Sequence, residues 1–87
     1  MADLAVVLLH DDDNVAVALR ALRVGEHVEL NGQRVQLRSD IPAGHKVATA
    51  DIAAGARVCK YRQTIGVALQ DISAGEHVHV HNVGMPA

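Results

Sequence analysis

Asp40-Ile41-Pro42-Ala43-Gly44-His45-Lys46-Val47 recurs as Asp51-Ile52-Ala53-Ala54-Gly55-Ala56-Arg57-Val58 and as Asp71-Ile72-Ser73-Ala74-Gly75-Glu76-His77-Val78. Asp, Ile, Ala, Gly and Val hold the same places in all three. Each residue type has a physical task. The aspartate can hydrogen-bond to backbone two residues on, and Pro42 presets φ for a turn. The glycine takes the left-handed conformation that ends the turn. Ile before and Val after anchor it to a core, so each copy reads as a strand–turn–strand corner. The copies start 11 and 20 residues apart, which excludes an evenly stacked solenoid. Arg23-Val24-Gly25-Glu26-His27-Val28 is a partial fourth echo. It reads as fortuitous, because Gly25 is also placed to end a helix.

Outward from these corners the elements are short. Residues 4–9 form an apolar run bounded by polar residues, the mark of a buried strand. Asp12 or Asp13 can then N-cap a short helix, with the acidic run Asp11-Asp12-Asp13 at the positive end of its dipole. Val15, Ala18, Leu19 and Leu22 repeat at helical spacing, and Arg20 and Arg23 fall in the last turn. Residues 26–37 read as a hairpin around Asn31-Gly32, since both central residues of a type I′ turn need φ > 0. That loop sets Val28 opposite Val35 and Glu29 opposite Arg34, an apolar pair and a charge pair in one register. The expected fold is mostly β, with one short N-terminal helix.

The 87 residues amount to one domain, 1–87. Apolar residues make up 49% of the chain, yet it holds no Phe or Trp and a single Tyr. The core must be built from Ala, Val, Leu and Ile, in thin layers of closely packed backbone. A core this light suits a domain that leans on a partner surface, including another copy of itself. Net charge is −2 and the basic residues are scattered. Nucleic-acid binding needs a concentrated cationic face, so it is not the expected role. The lone cysteine, Cys59, excludes an internal disulfide framework and reads as a small buried hydrophobe in a reducing compartment. Residues 4–9 are too short to span a membrane and lack the positive flank of a secretory signal. A cytoplasmic location is expected.

The ordered segments carry a family resemblance. Asp13-Asn14-Val15-Ala16-Val17-Ala18-Leu19, Ile41-Pro42-Ala43-Gly44-His45-Lys46-Val47-Ala48, Lys60-Tyr61, Ile65-Gly66 and Gly75-Glu76-His77-Val78-His79-Val80-His81-Asn82 together resemble the SAF domain of the altronate/galactarate dehydratase family. Related modules occur in antifreeze-like domains of sialic acid synthases and in flagellar and pilus assembly chaperones. The resemblance implies a small β-clip fold. In that family the module is fused ahead of a large catalytic domain or encoded as a separate small subunit. The chain stops just after His81-Asn82, where the fused forms continue, so the separate form is expected. Small subunits of sulfolactate sulfo-lyases look alike. The resemblance also implies a large catalytic partner subunit, a hydroxy-acid or sugar-acid substrate, and a divalent metal, Fe2+ or Mn2+, held mainly by that partner.

The candidate site residues follow from both readings. From Glu76 to Val83 polar and apolar residues alternate. A strand there projects His77, His79 and His81 from one face and turns Val78 and Val80 to the core. Such a face suits a metal, an anionic substrate, or plain solvent. On a strand, i and i+4 are about 13 Å apart, so at most a pair such as His77 and His79 shares an ion, with a ligand from elsewhere. His45 and Lys46 follow the first glycine corner and are the candidate catalytic residues, to move a proton or to neutralise a substrate carboxylate. Asn14, Lys60, Tyr61, His79, His81 and Asn82 are candidates for substrate contact. As the only aromatic residue, Tyr61 also reads as a core or interface plug. Many relatives have glycine where Arg62 stands. There is no phosphate-binding loop, dinucleotide fingerprint, serine elbow or CxxC pair, so self-contained catalytic machinery is not expected.

Overall fold

The computed structural model describes residues 5–8, 10, 12–30 and 32–85. The expectations for Leu4, Leu9, Asp11 and Asn31 lie outside the described residues. The strands are β1 (Val6–Val7), β2 (Val15–Ala18), β3 (His27–Leu30), β4 (Gln33–Gln36), β5 (Lys46–Ala48), β6 (Arg57–Lys60), β7 (Gln63–Ala68), β8 (His77–Val78) and β9 (Val83–Gly84). They form an antiparallel four-stranded sheet β1-β2-β5-β8, the hairpin β3-β4, and a three-stranded sheet β6-β7-β9. No helix among the described residues is long and apolar enough to cross a membrane.

The glycine corners organise everything else. In each, the residue after the glycine donates its N–H to the carbonyl three back, as His45 does to Pro42 at 3.0 Å and Ala56 to Ala53 at 2.9 Å. With φ of +82° at Gly44 and +83° at Gly55, these are type II turns. The corners then lock in pairs. Ile52 and Ile72 exchange two backbone hydrogen bonds at 2.7 and 2.8 Å. The flanking aspartates cross over as well, with Ala54 N–H donating to Asp71 and Ala74 N–H to Asp51. Each aspartate thus caps the partner corner, where the sequence suggested its own.

The fourth echo is a real corner and not a helix end. Gly25 has φ +91°, Glu26 N–H donates to the Arg23 carbonyl, and Leu22 bridges Ile41 as Ile52 bridges Ile72. Val24 N–H donates to Asp40 at 2.8 Å. Ala21 stands where the reciprocal aspartate would be, so this pair is capped from one side.

The expected N-terminal helix is therefore absent among the described residues, and β2 occupies its centre. Val15, Ala16 and Ala18 are buried because β2 pairs with β1 on one edge and β5 on the other. A strand covered on both faces shows a continuous apolar run, which mimics helical spacing over so short a stretch. Leu19, assigned to the helix's buried stripe, is exposed. The hairpin appears as expected, with Val28 opposite Val35 and Glu29 opposite Arg34.

Two aliphatic clusters lie on opposite sides of the main sheet. One gathers Ala16, Ala18, Leu22, Leu30, Leu37, Ile41 and Val47, and the other Val15, Ala48, Ile52, Val58, Ile72 and Val78. Val47 and Ala48 alternate between them because successive strand residues face opposite ways.

Gly75 and Gly55 predict different tolerances. A Cβ at Gly75 would lie 2.5 Å from the Gln36 carbonyl oxygen, whereas at Gly55 nothing lies within 4 Å. Gly55→Ala should cost about 1–2 kcal/mol through left-handed backbone alone, and Gly75→Ala distinctly more. Urea unfolding midpoints of the two variants check this; equal losses would contradict the packing.

Candidate functional site

The Gly44 and Gly75 corners deliver the histidines to one place. β5 leaves the Gly44 corner and β8 leaves the Gly75 corner, and the two strands pair Lys46 with Val78 and Val47 with His77. His45, His77 and His79 therefore converge from segments more than thirty residues apart in the chain. His45 Nδ1 lies 2.9 Å from His77 Nε2, a hydrogen bond between imidazoles. The rings of His45 and His79 stack with centroids 4.3 Å apart, and those of His45 and His77 at 5.1 Å. All three side chains are half-buried, and one ring nitrogen from each lies within 4.8 Å of the others.

This corrects the expectation of one long strand from Glu76 to Val83. The chain leaves β8 at Val78 and turns over residues 79–82. Val80 consequently points to solvent, 79% exposed, where a strand would have turned it to the core. The agent of the turn is Asn82, which is fully buried. Its Oδ1 accepts the His79 N–H at 3.0 Å and its Nδ2 donates to the His77 carbonyl at 2.8 Å. Asn82 thus fixes the backbone that carries two of the histidines, and its side chain faces inward. His81, on the turn, is exposed, with its ring tilted over His77 at 5.3 Å. Spacing along a strand did not reveal His45 as the third member of the cluster; only the β5–β8 pairing does.

Burial pushes the His77 imidazole below its ordinary value, helped by the charges of His45, His81, His79 and Lys46. His79 is lowered likewise, by burial first and then by His45, Lys46 and His81. Both are thereby held toward the neutral form, which bears a free lone pair.

Beside the cluster opens a groove of about 550 Å³ whose lining includes Lys46, Lys60, Ile65, His79, Val83 and Met85. The two ammonium groups give this largely aliphatic wall a cationic rim suited to a small carboxylate. Tyr61 lies outside the groove lining and is 61% exposed, so it is no core plug. The Lys60 ammonium sits 5.5 Å from its ring centroid. Cys59 is a half-buried free thiol.

Asp13 does something other than cap a helix. Tyr61 and Arg62 form the two-residue turn between β6 and β7 with φ of +55° and +62°. Asp13, buried, accepts both of their N–H groups, at 2.9 and 2.8 Å. That carboxylate holds a left-handed turn without glycine. Asn14 works beside it, donating to the Arg57 carbonyl and accepting from Cys59 N–H. It bridges the register shift between Val58 and Cys59. Asn14 and Asp13 thus brace the strand that carries Lys60.

Burial raises the Asp13 carboxyl, but the N–H groups of Arg62 and Tyr61 and the charge of His10 outweigh it and hold it below its ordinary 3.8. A depressed folded value means that the group stabilises the fold above pH 3.8, and that this contribution is lost as pH falls through the folded value. Asp13→Asn should be less stable than wild type at neutral pH, with the gap closing in acid. Urea titrations at neutral and strongly acidic pH test this; a gap that stays constant would rule the linkage out.

Comparison with known proteins adds four findings. The family model described as the altronate/galactarate dehydratase SAF domain matches residues 4–86. An altronate dehydratase of Escherichia coli (strain K12) is 54% identical over 76 residues, 87% of this chain but 15% of that enzyme. The (2R)-sulfolactate sulfo-lyase subunit alpha of Paracoccus pantotrophus is 47% identical over 49 residues, 56% of this chain and 73% of that subunit. Its counterpart in Chromohalobacter salexigens is 50% identical over 48 residues, 55% of this chain and 51% of that subunit. The chain thus spans a small part of the dehydratase, about half of one sulfo-lyase subunit and about three quarters of the other.

Proposed function

This chain belongs to the altronate/galactarate dehydratase SAF domain family, and on that premise we propose that it is the small component of a two-part lyase. It would remove water from a hydroxy acid or sugar acid, closing the active site of a large catalytic subunit. The observation that carries this reading is the groove whose rim joins Lys46 and Lys60 to the histidine cluster. Relatives named as dehydratases, and as subunits of a sulfo-lyase, support the reaction class and the two-part assembly.

Dehydration of such an acid takes a proton from the carbon α to the carboxylate and expels the β-hydroxyl, and the enol product becomes a 2-keto acid. The base belongs to the large subunit. A divalent cation, Fe2+ or Mn2+, would be held mainly there and would supply electrostatic stabilisation of the developing negative charge. This chain's residues do the rest. Lys46 and Lys60 attract and orient the carboxylate. His45 shares a proton with His77 across their 2.9 Å contact and can pass it toward the departing hydroxyl. The aliphatic groove wall, with Ile65 and Met85, excludes water once it is covered.

A second reading keeps the assembly and changes the leaving group to sulfite. It is favoured by the 73% coverage of the Paracoccus pantotrophus subunit. The test is reconstitution. The chain is mixed with a large dehydratase-type or sulfo-lyase-type subunit and Fe2+ or Mn2+, and assayed on altronate, galactarate and sulfolactate. Turnover should need both proteins. Full activity from the large protein alone would refute the subunit role and leave a non-catalytic binding module. In the active mixture, Lys46→Ala should raise KM by about 10- to 100-fold, the loss of one charge-assisted hydrogen bond. His45→Ala should lower kcat by about 100-fold or more.

A further inference from the structure

We infer that His45, His77 and His79 form a binding site for one divalent transition-metal ion on this chain itself. The inference stands apart from the lyase reading, because the ion would be held with no partner present.

Metal–imidazole bonds of about 2.0–2.1 Å place neighbouring ligand nitrogens roughly 2.9–3.4 Å apart for octahedral to tetrahedral angles. The His45–His77 nitrogens are already 2.9 Å apart, and the third ligand lies within 4.8 Å of both. His79 is stacked on His45, so its side chain reorients to bring a ring nitrogen to that spacing. Without the ion, a hydrogen bond joins His45 to His77 and ring stacking holds His79 against His45.

The site is also built on ordered backbone. His77 lies in the β5–β8 ladder, and its N–H donates to Ser39 Oγ. Two hydrogen bonds from the buried Asn82 side chain hold the His77 carbonyl and the His79 N–H. His77 thus sits on a strand, His45 directly before one, and His79 on a turn that Asn82 fixes, which limits the reorganisation that ligation needs.

The donor set indicates the class of ion. Three imidazoles with no carboxylate suit Zn2+, Fe2+, Ni2+ or Cu2+ and disfavour Mg2+ and Ca2+, which prefer oxygen. Three protein ligands leave a coordination position open. His79 faces the groove that Lys46 and Lys60 rim, so an anionic oxygen can complete the shell. An ion here replaces the His45–His77 hydrogen bond by two coordinate bonds, so the empty and loaded chains use His45 differently.

Titration of the 87-residue chain with Co2+ tests the assignment, followed by visible absorption and by calorimetry, with Zn2+ as competitor. One equivalent should bind with ligand-field bands of a four- or five-coordinate ion, and Zn2+ should displace it. His45→Gln, His77→Gln and His79→Gln should each lower affinity at least about 10-fold, whereas His27→Gln, at an exposed position of β3, should not. Proton NMR guards against misfolded variants: in the wild-type chain, Co2+ should broaden or shift the imidazole signals of His45, His77 and His79 and spare His27. Absence of stoichiometric binding, or binding that survives all three substitutions, would overturn the site. Stoichiometric ion binding by a chain that adds nothing to lyase turnover on reconstitution would leave the site standing and count against the subunit role alone.

Discussion

The antiparallel bridge between two glycine corners is the constraint on which the molecule depends. Leu22 with Ile41, and Ile52 with Ile72, each place two chain reversals back to back. Every reversal leaves its last N–H groups in search of acceptors, and buried backbone groups left unpaired are costly. The corners meet that demand through one another and through strand ends. Gly44 N–H donates to the Ala18 carbonyl, Gly55 to Ala68, Gly75 to Ala48 and Gly25 to Leu37. Repetition of one small motif replaces the large aromatic core that this composition does not provide.

The candidate site is a by-product of that arrangement. The residue after Gly44 is His45, and the second residue after Gly75 is His77. Pairing of β5 with β8 brings the two corners together, and their exits then share one edge of the sheet. Asn82 adds the turn that brings His79 in. Imidazoles, two lysines and an open aliphatic groove are thereby concentrated on one side of the fold.

The corners and the hairpin were readable because their signals are local. Glycine at the same place in three copies of one motif marks left-handed backbone, and Asn31-Gly32 signals a two-residue hairpin register. The helix expected over Val15–Leu22 failed for the opposite reason. Ala and Val in a strand covered on both faces leave no alternation to read, and pairing with β1 and β5 decided the matter. The echo at Gly25 shared the fate of that helix, since a glycine that could end a helix can equally begin a corner. Glu76–Val83 misled because alternation continued through a turn that one buried side chain imposes.

By itself the sequence determined the mostly β character, the three repeated corners, the hairpin register and the family, because backbone rules for glycine and ordered motifs act locally. Tertiary structure alone decided which corners pair and that Asp51 and Asp71 cap each other's turns. It alone showed that Asp13 braces a distant hairpin, and that His45 joins His77 and His79. Those are contacts between segments far apart in the chain. Their partners are chosen by burial and by hydrogen-bond demand across the whole fold, which no single stretch of residues encodes.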